Sequence, residues 1–386
     1  MWPRHDEKQL KVAIIGGGPG GLGAAIELSR LPFVTWDLYE KRERFSEIGG
    51  GFTLQPQTWR LLQSTGVAEN ITENDYFRST DGFVEQRRQV RISFDTGAVD
   101  DVDLIVAADG IRSRIRNHCF PDHKLSYNGQ SVYRTIVSKT DVLKIKGIPW
   151  AATFWKHTSG LYVFTCPLGD DDFEVTARIL RPKGEEEPVS WGRPFSLHHL
   201  LHEYDDFCEP IRQILRIAAE GDTQEFALFS GPHLEHVTCS GNIAFVGDAS
   251  HAMLGNFGSG AGFALEDVYT LGRTLEWASS AGKTLPEALN LFDRIRSPYY
   301  ERLHQAIKEF ASIKTALRAE RLPLDEEIAE RVRRISKASQ GWMFYYQIDK
   351  VVDEALREEA QRDANEGSPT KYDRLLSLRS SIYAIH

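Results

Sequence analysis

The sequence contains no stretch of 18 apolar residues, so nothing in it has the length of a membrane-spanning helix. It has no apolar run before residue 12 either, and the opening "MWPRHDEKQL" reads as a chain without a secretory signal. Cysteine is scarce. Cys119, Cys166, Cys208 and Cys239 lie far apart, with no CxxC pair and no metal-type spacing, which predicts reduced thiols and a cytoplasmic setting. No GxSxG occurs, so the commonest serine-hydrolase signal is missing. Positive charge is not in excess: the formal net charge is −9, and a nucleic-acid partner would need a strong local basic face. The short runs "QRRQVR" (86–91) and "RSRIR" (112–116) read as solvated or phosphate-facing. His198 and His202 stand at i and i+4 in "SLHHLLH", but no third ligand has recognisable spacing, so the reading is a helix surface and no metal.

What is present is an ordinary globular composition, 41% hydrophobic and 26% charged over 386 residues, ample for a sizeable core. The first organised segment is "KVAIIGGGPGGLGAAIELSRLPFVTWDLYEKR". Val12 to Ile15 has strand length and composition, "GLGAAIELSR" is rich in helix formers, and Thr35 to Tyr39 gives a second strand ending on Glu40. Between strand and helix the glycines fall as Gly16-x-Gly18-x-x-Gly21. That spacing serves a tight turn, backbone approach to a pyrophosphate, and close packing of helix on strand. The helix N-terminus offers oriented N–H groups to phosphate oxygens. Glu40, nineteen residues after Gly21, is placed to accept from free ribose hydroxyls, which favours FAD or NAD over NADP at this site.

Two further strands end on a glycine and an acid. Leu104 to Ala108 leads into Asp109-Gly110 and a helix start with Ser113; taken alone, an Asp capping a helix accounts for it. Ile243 to Val246 leads into Gly247-Asp248, and the stretch continues "GDASHAMLGNFGSGAGFALED" (247–267), with four glycines between 255 and 262. Such density admits close approach of backbone to a ligand. Three buried strands ending in glycine-acid loops are expected where their carboxyl ends line one crevice.

The combination of "GGGPGG" with Glu40, "AADGIRSRIR" and "GNIAFVGDASHAM" resembles the FAD-dependent aromatic hydroxylases of the para-hydroxybenzoate and salicylate hydroxylase type, nearest in flavour to the fungal enzymes of secondary metabolism. The resemblance runs from residue 11 to about 300. It implies an α/β fold: a Rossmann-like FAD-binding domain interleaved with a mixed β-sheet substrate domain and followed by a helical C-terminal region. It implies that Gly16, Gly18 and Gly21 hold the ADP half of FAD with Glu40 on its ribose, that Gly51 of "IGGGFTLQP" contacts FAD, and that Asp109 serves FAD and NADPH. Asp248 is then expected on the ribityl chain, with Gly260 and Ala261 offering backbone near the isoalloxazine. In that family NADPH or NADH reduces the flavin, and dioxygen adds to it as a C4a-hydroperoxide that hydroxylates or epoxidises an aromatic or polycyclic small molecule. The absence of a second strand-GxGxxG-helix unit agrees with a transiently bound reductant.

The domains expected on this basis are FAD-binding parts at 8–60, 101–120 and 236–310, a shortened connection at 61–100, a substrate-binding sheet at 121–235, and C-terminal helices at 311–386. "SVYRTIVS" (131–138), "GLYVFTCPL" (160–168) and "FEVTARIL" (173–180) have strand composition. An arginine and a tyrosine on this sheet face the substrate in the fungal relatives. Arg134 and Tyr162 are the matches, with Arg134 placed to stabilise a phenolate and a surface role for it left open. Two departures stand out. Only 93 residues separate Gly16 from Asp109, as if a helix and a strand of the FAD domain were omitted, which would uncover apolar surface; Arg87, Arg88 or Arg91 stands near where a cofactor arginine would be. In the flavin loop, Gly255-Asn-Phe-Gly258-Ser-Gly260 replaces the family's Pro-x-x-Gly-Gln-Gly. These leave two alternatives to a monooxygenase: an FAD-containing oxidase, isomerase or cyclase without oxygen transfer, and a non-catalytic homologue. Oligomeric state has no signal in the sequence.

Overall fold

The computed structural model describes residues 9–41, 56–64, 90–93, 99–157, 159–168, 171–180, 191–253, 260–337 and 341–365. In chain order the strands are β1 (Leu10–Ile15), β2 (Val34–Tyr39), β3 (Val90–Ser93), β4 (Val99–Val102), β5 (Leu104–Ala107), β6 (Ser126–Ser138), β7 (Thr153–Lys156), β8 (Tyr162–Pro167), β9 (Asp172–Leu180), β10 (Trp191–Phe195), β11 (Thr223–Ser230), β12 (Thr238–Cys239) and β13 (Ile243–Phe245). The helices are α1 (Pro19–Ser29), α2 (Pro56–Ser64), α3 (Arg114–Cys119), α4 (Lys139–Val142), α5 (Glu209–Ala219), α6 (Gly260–Ala281), α7 (Leu285–Glu320), α8 (Leu324–Lys337), α9 (Gly341–Phe344) and α10 (Ile348–Asn365).

Alternation along the first strands explains why they are apolar throughout. Val12, Ile14, Leu104 and Val106 pack into one core with α1, α6, α7 and α10, while Ala13, Ile15, Ile105 and Ala107 pack into a second core on the other face. A sheet covered on both sides needs continuous hydrophobic runs, and parallel pairing follows from the helical crossovers. The resulting sheet has the order β12-β13-β5-β1-β2, in which β13, β5, β1 and β2 are parallel and β12 is an antiparallel edge. Ile15 pairs with both Tyr39 and Ala107, and Ala107 with Phe245, so the four parallel strands end at one level.

The second sheet is antiparallel, with the order β10-β11-β6-β9-β8-β7. One face buries Tyr133, Val163, Phe173, Val175 and Ala177 under α5 and the 3₁₀ turn at Leu197–Tyr204. That turn carries His198 and His202, which lie singly beside Glu220 and Glu203. The expected C-terminal helices form, and α10 docks on the main core through Val352, Leu356 and Ala360. Among the described residues β2 is an edge strand, with Trp36 36% exposed and Ile26 of α1 46% exposed. No described helix is long and apolar enough to cross a membrane.

The cysteines are not all apart in space. Cys119 at the end of α3 and Cys239 of β12 are neighbours, and their contact lowers the Cys239 thiol while raising that of Cys119.

Candidate cofactor and substrate site

The carboxyl ends of β1, β5 and β13 bring the three motifs together. Gly16 has φ +105° and receives no side chain for a second reason: a Cβ there would stand 2.4 Å from the Ala108 carbonyl oxygen. Gly18 is the N-cap of α1, Pro19 opens the helix, and a Cβ on Gly21 would lie 1.8 Å from the Gly16 oxygen. Gly20 packs against Val246 and Ala264, so the first turn of α1 reaches both the third motif and α6. Glu40 lies against the same loop, its Oε2 accepting from the Gly17 N–H at 3.1 Å.

Asp109 is 5% exposed. Its Oδ2 accepts from the backbone N–H of Arg114 (2.9 Å) and Ile115 (3.3 Å), so it does cap α3, whose N-cap is Ser113. Its Oδ1 is buried with no hydrogen-bond partner among the described residues. Burial pushes the carboxyl up to about 6, against the pull of Ser113 and the backbone donors. A helix cap needs one oxygen, so the second is not used by the cap.

Arg116, one of the arginines of "RSRIR", is 2% exposed and locks this loop to the third one. Its guanidinium donates to the carbonyls of Asp248 (3.1 Å), Ala249 (3.0 Å) and Ile111 (2.7 Å). Asp248 sits in a single 3₁₀ turn, Gly247–Ala249, and a Cβ on Gly260 would stand 3.7 Å from its Oδ1. The start of α6, Gly260-Ala261, therefore faces the Asp248 carboxylate. Gly262 lies against Thr58 of α2, whose hydroxyl is buried without a partner among the described residues. Gly51 and residues 254–259, with Gly255 and Ser259, lie outside the described residues, as do Arg87 and Arg88.

Beneath this crevice is a buried charge cluster that sequence spacing could not reveal. Arg296 of α7, fully buried, donates to Asp267 Oδ1 (2.8 Å), Glu266 Oε2 (3.2 Å), Tyr300 Oη (2.7 Å) and the Phe263 carbonyl. Asp267 Oδ2 in turn accepts from the Gly247 N–H (2.9 Å) and is 2.8 Å from His251 Nε2, and the His251 ring stacks on Tyr300. Burial drives Glu266 up to about 7; for Asp267 the charges of Arg296 and His251 outweigh burial and hold it below the usual carboxylate range. The cluster fixes the Gly247 turn and the first helical turns of α6 to α7. Its acids and its histidine are visible in "GDASHAM" and "ALED", but Arg296 in "FDRIRSPYY" reads as an ordinary surface arginine.

The two substrate-side candidates share the open face of the antiparallel sheet. Arg134 pairs across β9 with Thr176, and Tyr162 with Arg178; their strand neighbours Tyr133 and Val163 point into the helix-covered core. Arg134 Nε donates to Glu174 Oε1 (3.0 Å) and Thr176 Oγ1 (3.3 Å), and the guanidinium lies over Phe226. Tyr162 lies under the guanidinium of Arg178 at 4.9 Å and edge-on to Phe154.

Comparison with known proteins agrees with this geometry. The model of an FAD binding domain matches residues 9–102. A salicylate hydroxylase of Pseudomonas putida is 24% identical, covering 90% of this chain and 94% of that protein, and the FAD-dependent monooxygenase sor5 of Hypocrea jecorina is 22% identical over 91% of this chain and 94% of its own length. The crystal structure of CtdE in complex with FAD and a substrate superimposes with a TM-score of 0.68 at 17% identity, covering 92% of this chain and all of that one. The salicylate hydroxylase alignment runs over 416 positions yet uses 90% of 386 residues, so several tens of positions of that relative face gaps here. The glycine cradle, the unpartnered Asp109 oxygen and the Asp248 carboxylate fit the phosphate and hydroxyl groups of a flavin dinucleotide. By sequence and fold this chain is similar to FAD-dependent aromatic hydroxylases, which supports an enzyme of the FAD-dependent monooxygenase class with FAD as its cofactor.

Proposed function

We propose that the protein hydroxylates or epoxidises an aromatic or polycyclic natural-product intermediate with NAD(P)H and dioxygen, as a cytoplasmic enzyme of secondary metabolism. The observation that carries this reading is the convergence of three glycine-acid loops at one level of the parallel sheet, together with an arginine on the open face of the other sheet.

FAD bound there supplies electron transfer from the reductant and activation of dioxygen. The chain's own groups divide the remaining work. Gly16, Gly18 and Gly21 with the α1 N-terminus take the pyrophosphate, Glu40 accepts from ribose hydroxyls, and Asp248 accepts from the ribityl chain, with Gly51 assigned to the same cofactor. Asp109 Oδ1 offers a further acceptor at this edge while Oδ2 keeps the α3 cap. The N-terminus of α6, at Gly260 and Ala261, places its partial positive charge where negative charge on a reduced ring is stabilised. Arg134 favours the phenolate over the phenol at the substrate oxygen, which makes the ring a better nucleophile, while Glu174 orients the guanidinium and offsets part of its charge. Tyr162 supplies ring contact for an aromatic substrate.

The visible spectrum of the purified protein is the first test, with flavin bands expected on isolation or after adding FAD. Substrate-stimulated NADPH oxidation with one atom of labelled dioxygen in the product is the expected second result. A flavin-bound protein that converts substrate without taking an oxygen atom would replace this reading with an oxidase, isomerase or cyclase. A protein that takes up no FAD would overturn both.

A further inference from the structure

The cofactor cradle and the proposed chemistry leave unused the two thiols that meet behind the second and third glycine-acid loops. Cys119 closes α3 and Cys239 closes β12, and both pack against the core that holds Ile115, Ile243, Phe245 and Ala249. Phe120, next to Cys119, sets its ring 5.6 Å from that of Phe245, which fixes the end of α3 against β13. Cys239 is held as firmly from the other side. It opens the turn between β12 and β13, whose central residues Ser240 (φ 54°) and Gly241 (φ 72°) are both left-handed, and the Asn242 N–H donates to its carbonyl at 3.2 Å. Two consecutive left-handed residues match the twist of the strands they join, so the hairpin presents Cys239 from a defined backbone.

The side chains of the two cysteines are in contact, and the contact divides the protons unequally. It lowers the Cys239 thiol, against burial and with help from the Ser240 hydroxyl at 3.4 Å and the charge of His118, and it raises the Cys119 thiol. One sulfur thus carries the anion while its neighbour keeps a proton, an arrangement in which a thiolate attacks an oxidant and the second thiol resolves the product. Both cysteines are half-buried and stand next to exposed residues, His118 and Ser240, so a small oxidant can reach them. Their positions also matter to the crevice. Arg116, one turn before Cys119, holds the carbonyls of Asp248 and Ala249, and β13, which follows the Cys239 turn, leads into the same segment.

We propose that Cys119 and Cys239 form a reversible oxidation site, closed by hydrogen peroxide to a disulfide that fastens α3 to the β12–β13 hairpin. In the first step the Cys239 thiolate attacks one peroxide oxygen and the O–O bond breaks. Hydroxide leaves and takes a proton from solvent, so one water is released and Cys239 carries a sulfenic acid. In the second step the Cys119 sulfur attacks the Cys239 sulfur, the S–O bond breaks, and the departing hydroxide takes the Cys119 proton as the second water. Both sulfurs are oxidised and both peroxide oxygens reduced. A dithiol reductant reverses the closure by exchange.

The test is peroxide titration of the full-length protein with FAD added, read under denaturing, non-reducing conditions by thiol counting and peptide mass mapping. Two of the four thiols are expected to disappear with the mass loss of two hydrogens, a single peptide should join Cys119 to Cys239, and dithiothreitol should restore both thiols. The melting temperature of the oxidised protein should rise by about 3 °C or more, because a cross-link across so long a loop restricts the unfolded chain. The double variant Cys166→Ser/Cys208→Ser should behave in the same way, and Cys119→Ser should leave on Cys239 a sulfenic acid that dimedone traps. Four intact thiols after peroxide, a disulfide joining other cysteines, or thiol loss that dithiothreitol does not reverse overturns the proposal. A disulfide between Cys119 and Cys239 that leaves the melting temperature unchanged or lower overturns it as well. The decisive map is read on the unmodified chain without turnover, so it stands apart from the outcome of the proposed reaction.

Discussion

Replacing Arg296 by methionine probes the buried cluster under the flavin crevice. Methionine fills a comparable volume, so the change removes charge and donors more than packing. It leaves Glu266 and Asp267 fully buried without their shared cation. Breaking a buried pair from one side costs about 3–5 kcal/mol. The dependence on pH is the sharper signature. Glu266 already has a folded value of about 7 against 4.5, so its contribution to stability is complete below 4.5 and is lost as pH rises through 7, about 3 kcal/mol in all. Arg296 pulls both acids down; without it their folded values rise further, and the variant becomes less stable, relative to the unmodified protein, as pH rises. Urea unfolding at pH 5.5 and pH 8 should show the full destabilisation at pH 8 and a clearly smaller one at pH 5.5. Glu266→Gln added to the methionine variant should recover part of the loss. A destabilisation under about 1 kcal/mol at pH 8, or one independent of pH, would refute the electrostatic account.

Gly21→Ala should cost about 3 kcal/mol or more and abolish flavin retention, because its Cβ would meet the Gly16 oxygen at 1.8 Å with no side chain to move aside; thermal unfolding and the visible spectrum check both. Asp248→Ala should raise the FAD dissociation constant about tenfold, since it deletes acceptors for the ribityl hydroxyls, while leaving the backbone carbonyl that Arg116 holds; an unchanged flavin-to-protein ratio would remove Asp248 from its assigned role. Asp109→Asn keeps an oxygen for the α3 cap but never ionises. The unmodified carboxyl, raised to about 6 from 3.8, loses its contribution as pH rises through 6, so flavin-free variant protein should gain up to about 2 kcal/mol over the unmodified protein at pH 8 relative to pH 4.5. Equal stability differences at the two pH values would count against the raised carboxyl.

The local signals were legible because each is fixed by short-range chemistry. Gly16, Gly18 and Gly21 sit where φ, cap position and backbone clearance demand glycine, so spacing alone marked the turn. The runs at 12–15, 104–107 and 243–245 are apolar at every position because both sheet faces are covered, and that too is written residue by residue. Asp109 and Asp248 were readable as strand-end acids, and Asp109 also as a helix cap, but only the structure shows that its second oxygen has no partner among the described residues. Tertiary structure alone decided the rest. Arg116 and Arg296 look like surface arginines and are buried keystones, because burial is a property of what packs over a residue and not of its neighbours in the chain. Cys119 and Cys239, 120 positions apart, meet only because α3 and the β12–β13 hairpin flank the same core.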